Sequence, residues 1–399
     1  MTCDFLVVGA GIVGLSMAYN LRKRYPEASI VVLDKEDEIG AHASGRNSGV
    51  LHAGFYYSAD SLKARFTRDG NRAMREFCHS YGLAINECGK VVVARDEAER
   101  QTLHELLRRG EANGVNVRLI GEEEARSIDP NVRTYREALH SPDTATVDPL
   151  EVLAKLRHLV VADGTRLLLG NAWMGDLGNN NVFTRTDTIH AGVVVNCAGL
   201  YADRIAQAYG FGKRYTIVPF KGIYLKYSGS PAPVKTNIYP VPNLKNPFLG
   251  VHYTVTAGGE VKIGPTAIPA FWRENYQGFE RFDPLEMLEI LRWESELFLR
   301  DSFGFRSLAF EEFRKYSRGR LVSLAAELVQ RIDAEKFDRW SRPGIRAQLL
   351  DKERLELVQD FVVEGDGRSV HILNAVSPAF TCALPFTDWV IDRYIEQID

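Results

Sequence analysis

The sequence predicts an α/β chain, α+β overall, in which a Rossmann-like domain with a βαβ fingerprint carries a second domain built on a mixed sheet. Three observations predict it. The first stretch, Asp4 to Asp34, reads strand, glycine turn, helix, strand. Further runs of buried-strand type stand far along the chain, around Val193 and Val370. Between them lies a β-rich stretch punctuated by Gly and Pro, and then a charged helical one.

The opening stretch can be justified residue by residue. Phe5 to Val8 is a short apolar run, as a fully buried strand requires. Gly9, Gly11 and Gly14 follow in G-x-G-x-x-G spacing. The first glycine permits the tight turn, the second lets backbone approach a pyrophosphate, and the third lets helix and strand pack closely. Ile12 and Val13 begin a helix to about Tyr25, whose N-terminal N–H groups and dipole favour phosphate. Ile30 to Leu33 is the second strand, and Asp34 ends it, where a carboxylate can accept ribose hydroxyls; Lys35 follows. The pattern indicates a dinucleotide without choosing between NAD and FAD. No second G-x-G-x-x-G occurs, so the chain has room for one dinucleotide.

Composition narrows the class. The 399 residues are 45% hydrophobic and 25% charged, an ordinary globular balance with length for two or three domains. A net charge of −3 excludes the bulk basicity of a nucleic-acid binder. No apolar run approaches a membrane span. The N-terminus enters the first strand with no basic segment or cleavage site before it, so a cytoplasmic location is expected, with attachment to the cytoplasmic face of the inner membrane left open. Five scattered cysteines without a C-x-x-C predict neither disulfides nor a metal site.

After Asp34 comes a loop rich in small residues, Gly40 to Gly54. It can press its backbone against a flat ligand, and Arg46, Asn47 and His52 stand out in it. The chain then predicts a helix from Ser61 to about Tyr81, a strand at Lys90–Ala94 and a helix over Asp96–Asn113. A strand at Val115–Ile120 and a short helix from Gly121 to Ile128 follow. Ala138–Asp148 reads as turns with one short strand. Asp148-Pro149 starts a helix to about Ala162. Arg166–Leu169 is a strand, a meander turns at Asn179–Asn181, and Val193 leads a strand ending in Ala198 and Gly199. The β-rich region spans Ile217–Gly264, and Asp283 to about Trp340 reads as helical. Its interleaved acids favour a solvated face over a membrane-lying one, although Phe298, Phe303, Phe305, Phe310, Phe313 and Trp340 fall in it. Strands are predicted at Ile345–Leu350, Leu357–Glu364 and Val370–Asn374, with a hairpin turn at Gly365-Asp-Gly367 and a last helix from Ala379 to about Gln397.

Four stretches together resemble a known family: the fingerprint, Ser44 to Gly54, Val195 to Asp203, and Asn374 to Thr381. They resemble the FAD-dependent oxidoreductases of the D-amino-acid oxidase and glycerol-3-phosphate dehydrogenase superfamily. Within it the chain is most similar to the L-2-hydroxyglutarate dehydrogenases/oxidases. That narrower likeness rests on Gly45–Gly54, Pro242–His252, Gly264-Pro-Thr-Ala267 and Gly344-Ile-Arg-Ala-Gln348. Two departures are Asp34, where many relatives carry Glu, and Phe380, where a smaller residue is common. The resemblance implies a discontinuous FAD domain of residues 1–75, 143–212 and 345–399, with a substrate domain of 76–142 and 213–344. It implies FAD contacts at Ser44, Arg46, Asn47, Ser48, Gly49, Ala198 and Gly199, and at Ser377, Pro378, Ala379, Phe380 and Thr381 around the last helix N-terminus.

Oxidation of a small 2-hydroxy dicarboxylate needs a hydride acceptor (flavin N5), a base for the hydroxyl, and cations for the carboxylates. His52 is the first candidate base and His252 the second. His52 could instead anchor the flavin covalently, as a matching histidine does in some relatives, or serve only as a structural hydrogen-bonding group. Arg346, among apolar neighbours, suits a carboxylate bidentately, and Lys221 is a second cation on an apolar strand; Tyr239 and Tyr224 are further substrate contacts. The expected reaction is oxidation of L-2-hydroxyglutarate to 2-oxoglutarate; oxygen, a membrane quinone and an electron-transfer flavoprotein are all open as acceptors, and the resemblance favours a quinone. The alternatives are glycerol 3-phosphate or an amino acid as substrate, or a flavin-binding redox module without turnover.

Overall fold

The computed structural model describes residues 1–243 and 250–395. The middle of the Pro242–His252 stretch, residues 244–249, and the predicted end of the last helix lie outside the described residues. The chain divides into two compact units. The first comprises Met1–Asn47, Pro149–Pro219 and Arg346–Asp399, the second Ser48–Asp148 and Phe220–Ile345.

The first unit is organised on the opening strand, Thr2–Val8, which lies parallel between Ile30–Leu33 and Thr188–Asn196. Arg166–Leu168 continues the parallel order on one side, and Ser369–Asn374 on the other. Its strands read almost wholly apolar because helices cover a parallel sheet. The helix Ile12–Arg24 packs on the helix Ala379–Val390. Asn20 joins them, donating from Nδ2 to the Leu384 carbonyl at 2.8 Å and to Thr387 Oγ1 at 2.9 Å. The two ends of the chain thus meet in one core.

The second unit carries an eight-stranded sheet. Its order is Phe337–Trp340, Leu225–Tyr227, Val261–Gly264, His252–Val255, Asn237–Pro240, Lys90–Val93, Glu137–Ser141, Arg118–Gly121. Asn237–Pro240 lies parallel to Lys90–Val93, whereas the other pairings are antiparallel. One face buries Val91, Val93, Ile238 and Tyr253 against Leu321, Ala325 and Leu328. The other buries Val92, Leu139 and Tyr239 against Ala53, Phe55, Leu103 and Leu106. Local capping defines the helices. Ser61 Oγ accepts from the Ala64 N–H and Gly82, at φ 63°, ends Leu62–Tyr81; Asp96 accepts from Glu99; Asp283 accepts from Leu285 and Glu286 beside Pro284.

Several expectations need correction. Residues 48–75 and 143–148 belong to the second unit, not with the fingerprint. Val50–Leu51 pairs with Ala145–Val147, and Asn71 Nδ2 donates at 3.0 Å to both the Leu51 and Asp143 carbonyls. Ala138–Asp148 therefore contains two strands, Glu137–Ser141 and Ala145–Val147. The helical stretch ends before Trp340, because Phe337–Trp340 pairs with Leu225–Tyr227. Leu357–Glu364 is two short strands, Glu356–Leu357 and Val362–Gly365. Asn374 Nδ2 binds the Val358 and Asp360 carbonyls and turns the chain between them.

The charged stretch after Asp283 divides its acids between interior and surface. Three of its acids, Glu286, Glu294 and Glu312, turn inward, while Asp301, Glu311 and Glu327 stay exposed. Leu285, Leu288, Leu299, Phe303, Phe310 and Phe313 are exposed as well, alongside Arg292, Arg300, Arg306 and Arg314. Exposed acids and arginines thus share this surface with exposed apolar side chains. Among the described residues no helix is long and apolar enough to cross a membrane.

Candidate active site

The glycine turn is built so that only glycine fits it. Gly9 has φ 108°, and a Cβ there would stand 2.5 Å from the Cys197 carbonyl oxygen. A Cβ on Gly14 would stand 1.8 Å from the Gly9 carbonyl oxygen. Asp34 holds the turn from the end of the second strand. One carboxylate oxygen accepts the Ala10 N–H at 2.6 Å, the other the Glu36 N–H at 2.9 Å. Each oxygen keeps a further lone pair, so acceptance from a ribose remains compatible with this geometry. Ser44 Oγ accepts the Ile12 N–H at 2.9 Å, which ties the small-residue loop to the start of the helix. A bare backbone turn, a helix N-terminus without a side-chain cap at Gly11 and an acid at the neighbouring strand end fit the adenosine diphosphate part of FAD.

Other expected cofactor residues have local work of their own. Arg46 Nε donates to the Ala41 carbonyl at 2.6 Å, and Asn47 Nδ2 to that of Ser44 at 2.6 Å. Both therefore shape the loop. Ser48 Oγ accepts from the Val50 N–H, and Gly49 has φ 77°, in the second unit. Ala198 N–H binds Asn196 Oδ1 at 3.1 Å, and Gly199 opens a short turn at φ 54°. Lys35 pairs with Glu36 at 2.6 Å. At the last helix Pro378, Ala379 and Thr381 are buried, Phe380 is half-buried and Ser377 exposed.

Both candidate bases fall in one cluster of the second unit. Tyr239 and His252 sit on neighbouring antiparallel strands, in the register that pairs Ile238 with Tyr253. Their rings stack at 3.6 Å. Lys90 lies on the next strand, beside Asn237 in parallel register, which puts it on the same face as Tyr239. Its Nζ is 4.3 Å from the Tyr239 ring centre and 3.5 Å from His52 Nδ1. His52 enters from the loop after Val50–Leu51, which Asn113 fixes by donating to the Gly54 and Tyr57 carbonyls.

The cluster is dry. Lys90 is fully buried, and His52 and His252 are 8% and 3% exposed. Burial, reinforced by Lys90 and His252, holds the His52 imidazolium well below its ordinary range, so the ring is neutral at pH 7. Burial lowers Lys90 to about 7, with Cys88 opposing weakly. His252 Nδ1 lies 2.8 Å from the Gly250 carbonyl, which can only accept. Its neutral ring therefore carries the proton on Nδ1 and the lone pair on Nε2. Lys90 was missed by motif reading. Its one signal in sequence is a lysine opening the run Lys-Val-Val-Val, where a buried strand should be apolar throughout.

The candidate carboxylate ligands divide between the units. Lys221 is buried in the second, its Nζ 3.3 Å from Asn275 Oδ1, and burial lowers its pKa. Tyr224 is nearby in sequence, with Lys262 Nζ 4.8 Å over its ring. Burial lowers Lys262 to about 8. Arg346 is half-buried on Gly344–Asp351, in the first unit.

Comparison with known proteins gives the family. Residues 4–301 match the family model described as FAD dependent oxidoreductase. The L-2-hydroxyglutarate dehydrogenase of Escherichia coli O17:K52:H18 is 34% identical over 98% of this chain and 92% of its own length. The mitochondrial L-2-hydroxyglutarate dehydrogenase of Homo sapiens is 34% identical over 99% of this chain and 89% of its own. Among solved structures, L-alpha-glycerophosphate oxidase from Mycoplasma pneumoniae with FAD bound aligns at TM-score 0.76 and 20% identity, covering 98% of this chain and 94% of that one. Glycine oxidase from Geobacillus kaustophilus aligns at TM-score 0.73 and 18% identity, covering 100% and 95%. These two share the fold. With its glycine turn, single dinucleotide site and full-length relatives, the chain belongs to the FAD-dependent oxidoreductase family.

Proposed function

We propose that this enzyme oxidises L-2-hydroxyglutarate to 2-oxoglutarate. The observation that carries the reading is the likeness, across almost the whole chain, to relatives named L-2-hydroxyglutarate dehydrogenase. The buried histidine cluster supports it, because a hydroxy-acid oxidation needs a neutral base in a dry site. Bound FAD supplies the hydride acceptor, flavin N5. Gly9, Gly11, Gly14 and Asp34 hold its adenosine end. His52 takes the proton of the C2 hydroxyl, with His252 the second candidate for that role. Arg346 and Lys221 bind the two carboxylates, and Tyr239 and Tyr224 border the substrate.

The electron acceptor is a membrane quinone in this reading. Exposed apolar side chains and arginines between Phe279 and Tyr316 support it, since they suit an anionic lipid surface, with Glu280, Asp301 and Glu311 exposed among them. The decisive experiment is anaerobic addition of substrate to the purified yellow protein. L-2-hydroxyglutarate is expected to bleach the flavin, and its D enantiomer is not. Bleaching by glycerol 3-phosphate or an amino acid alone would transfer the substrate assignment to that compound. No bleaching by any small hydroxy or amino acid would favour a redox module.

A further inference from the structure

Lys90 is the most unusual side chain of the second unit. It is fully buried at the start of a central strand. Among the described residues no carboxylate pairs with it. Its surroundings are three aromatic faces, Tyr239, Tyr56 and Phe55, at 4.3, 5.2 and 5.5 Å, with Cys88 on the approach to its own strand. His52 Nδ1 is the polar partner, at 3.5 Å, and His252 stacks beyond Tyr239. A buried lysine without a counter-charge costs stability, so its retention asks for a use.

We propose that Lys90 is the second member of a proton relay, its Nζ receiving the Nδ1 proton of His52 as His52 Nε2 takes the proton of the substrate hydroxyl. The proposal rests on the reading of His52 as base. The substrate O–H bond breaks as the Nε2–H bond forms. The Nδ1–H bond breaks as a third N–H bond forms at Nζ. One proton is relayed and no electrons move in these two transfers; the C2 hydride leaves by the oxidoreductase reaction itself. The ring begins and ends neutral, which a dry site favours over an imidazolium. The charge ends on Nζ between aromatic faces, where an ammonium is held by cation–π attraction.

The geometry makes the charge state of Lys90 a switch. An ammonium must donate to Nδ1, so the ring proton sits on Nε2 and His52 cannot act as base. A neutral amine can accept from Nδ1–H, which leaves Nε2 bare. Lys90 therefore works as a positioning residue that sets the tautomer of His52. At His252 the Gly250 carbonyl only accepts, so Nδ1 there keeps its proton.

The test reads the tautomer directly. Holoenzyme carrying 15N-histidine would be followed by NMR across pH values on either side of 7, with His52→Asn assigning the signal. His52 is expected to stay neutral and to pass from the Nε2–H to the Nδ1–H form as pH rises. Lys90→Met should abolish that transition and slow anaerobic flavin reduction by about 10- to 100-fold. Lys90→Arg, permanently charged, should hold the Nε2–H form at every pH. An unchanging tautomer in the wild-type enzyme would overturn the relay, even if neither variant folds. So would wild-type reduction rates and pH profile in Lys90→Met. Full flavin reduction in His52→Ala would instead remove the base itself, a failure distinct from that of the relay and independent of which substrate bleaches the flavin.

Discussion

The polar interior of the first unit and that of the second follow opposite rules. Around the glycine turn every named polar group has a local partner: Asp34 with Ala10 and Glu36, Ser44 with Ile12, Asn196 with Ala198, Asn20 with the last helix. The result is a rigid cradle made largely of backbone. On the sheet of the second unit, a lysine and two histidines are buried together, the lysine among aromatic faces. The first arrangement suits a held ligand; the second keeps one titratable group, Lys90, near its switching point at about 7. A cofactor can be held by satisfied groups, whereas proton transfer needs groups whose two protonation states lie close in energy.

The contrast can be broken most severely at the cradle. Gly14→Val sets a side chain into the Gly9 carbonyl, and the protein is expected to purify colourless or not to fold. An absorbance spectrum and a melting curve check it; a yellow, stable variant would show the turn to be adaptable. Next is His52→Ala, which should keep FAD and lose about 10²- to 10⁴-fold in the rate of anaerobic flavin reduction. Retained speed would shift the chemistry to His252.

Arg346→Met and Lys221→Met should act mainly on binding, raising KM for the dicarboxylate by about tenfold or more each, with kcat less affected. Unchanged KM in either would remove that cation from the clamp. On the exposed face, Leu285→Glu with Phe310→Glu should weaken sedimentation with anionic vesicles and quinone-linked turnover while leaving turnover with a soluble dye intact. Equal loss with both acceptors would mean damage to the fold rather than to a membrane contact.

The smallest expected effect is one of stability. Lys90→Met should raise unfolding free energy by about 1–4 kcal/mol near pH 7, because an apolar side chain replaces a buried unpaired amine. The folded-state pKa of Lys90 is lowered to about 7 from 10.5. Between those values the unfolded chain binds more protons than the folded one, so the burial penalty is complete below 7 and fades toward 10.5. The gain from Lys90→Met should shrink over that window in urea melts; a constant gain would show that packing rather than charge is involved.

Much of this molecule was legible locally. The opening βαβ unit could be read to within three residues, because glycine spacing, apolar strands and a terminal acid act over a short reach. The capped helices from Ser61, Asp96 and Asp283 were legible for the same reason. His52 and His252 were singled out as candidates, yet nothing in sequence put them in one cluster. That needed the register of Asn237–Pro240 with both His252–Val255 and Lys90–Val93, and pairing partners are set by contacts far apart in the chain.

The sequence by itself determined the dinucleotide turn and its family, since backbone geometry at Gly9 and Gly14 depends on the identity of those residues and little else. Only the tertiary structure decided which acids after Asp283 turn inward and which aromatics remain outside. It also decided that the lysine opening an apolar strand would stand, buried and, among the described residues, without a carboxylate partner, 3.5 Å from a histidine 38 positions earlier. Burial and charge pairing belong to the whole fold, because they are fixed by what the rest of the chain packs around a group.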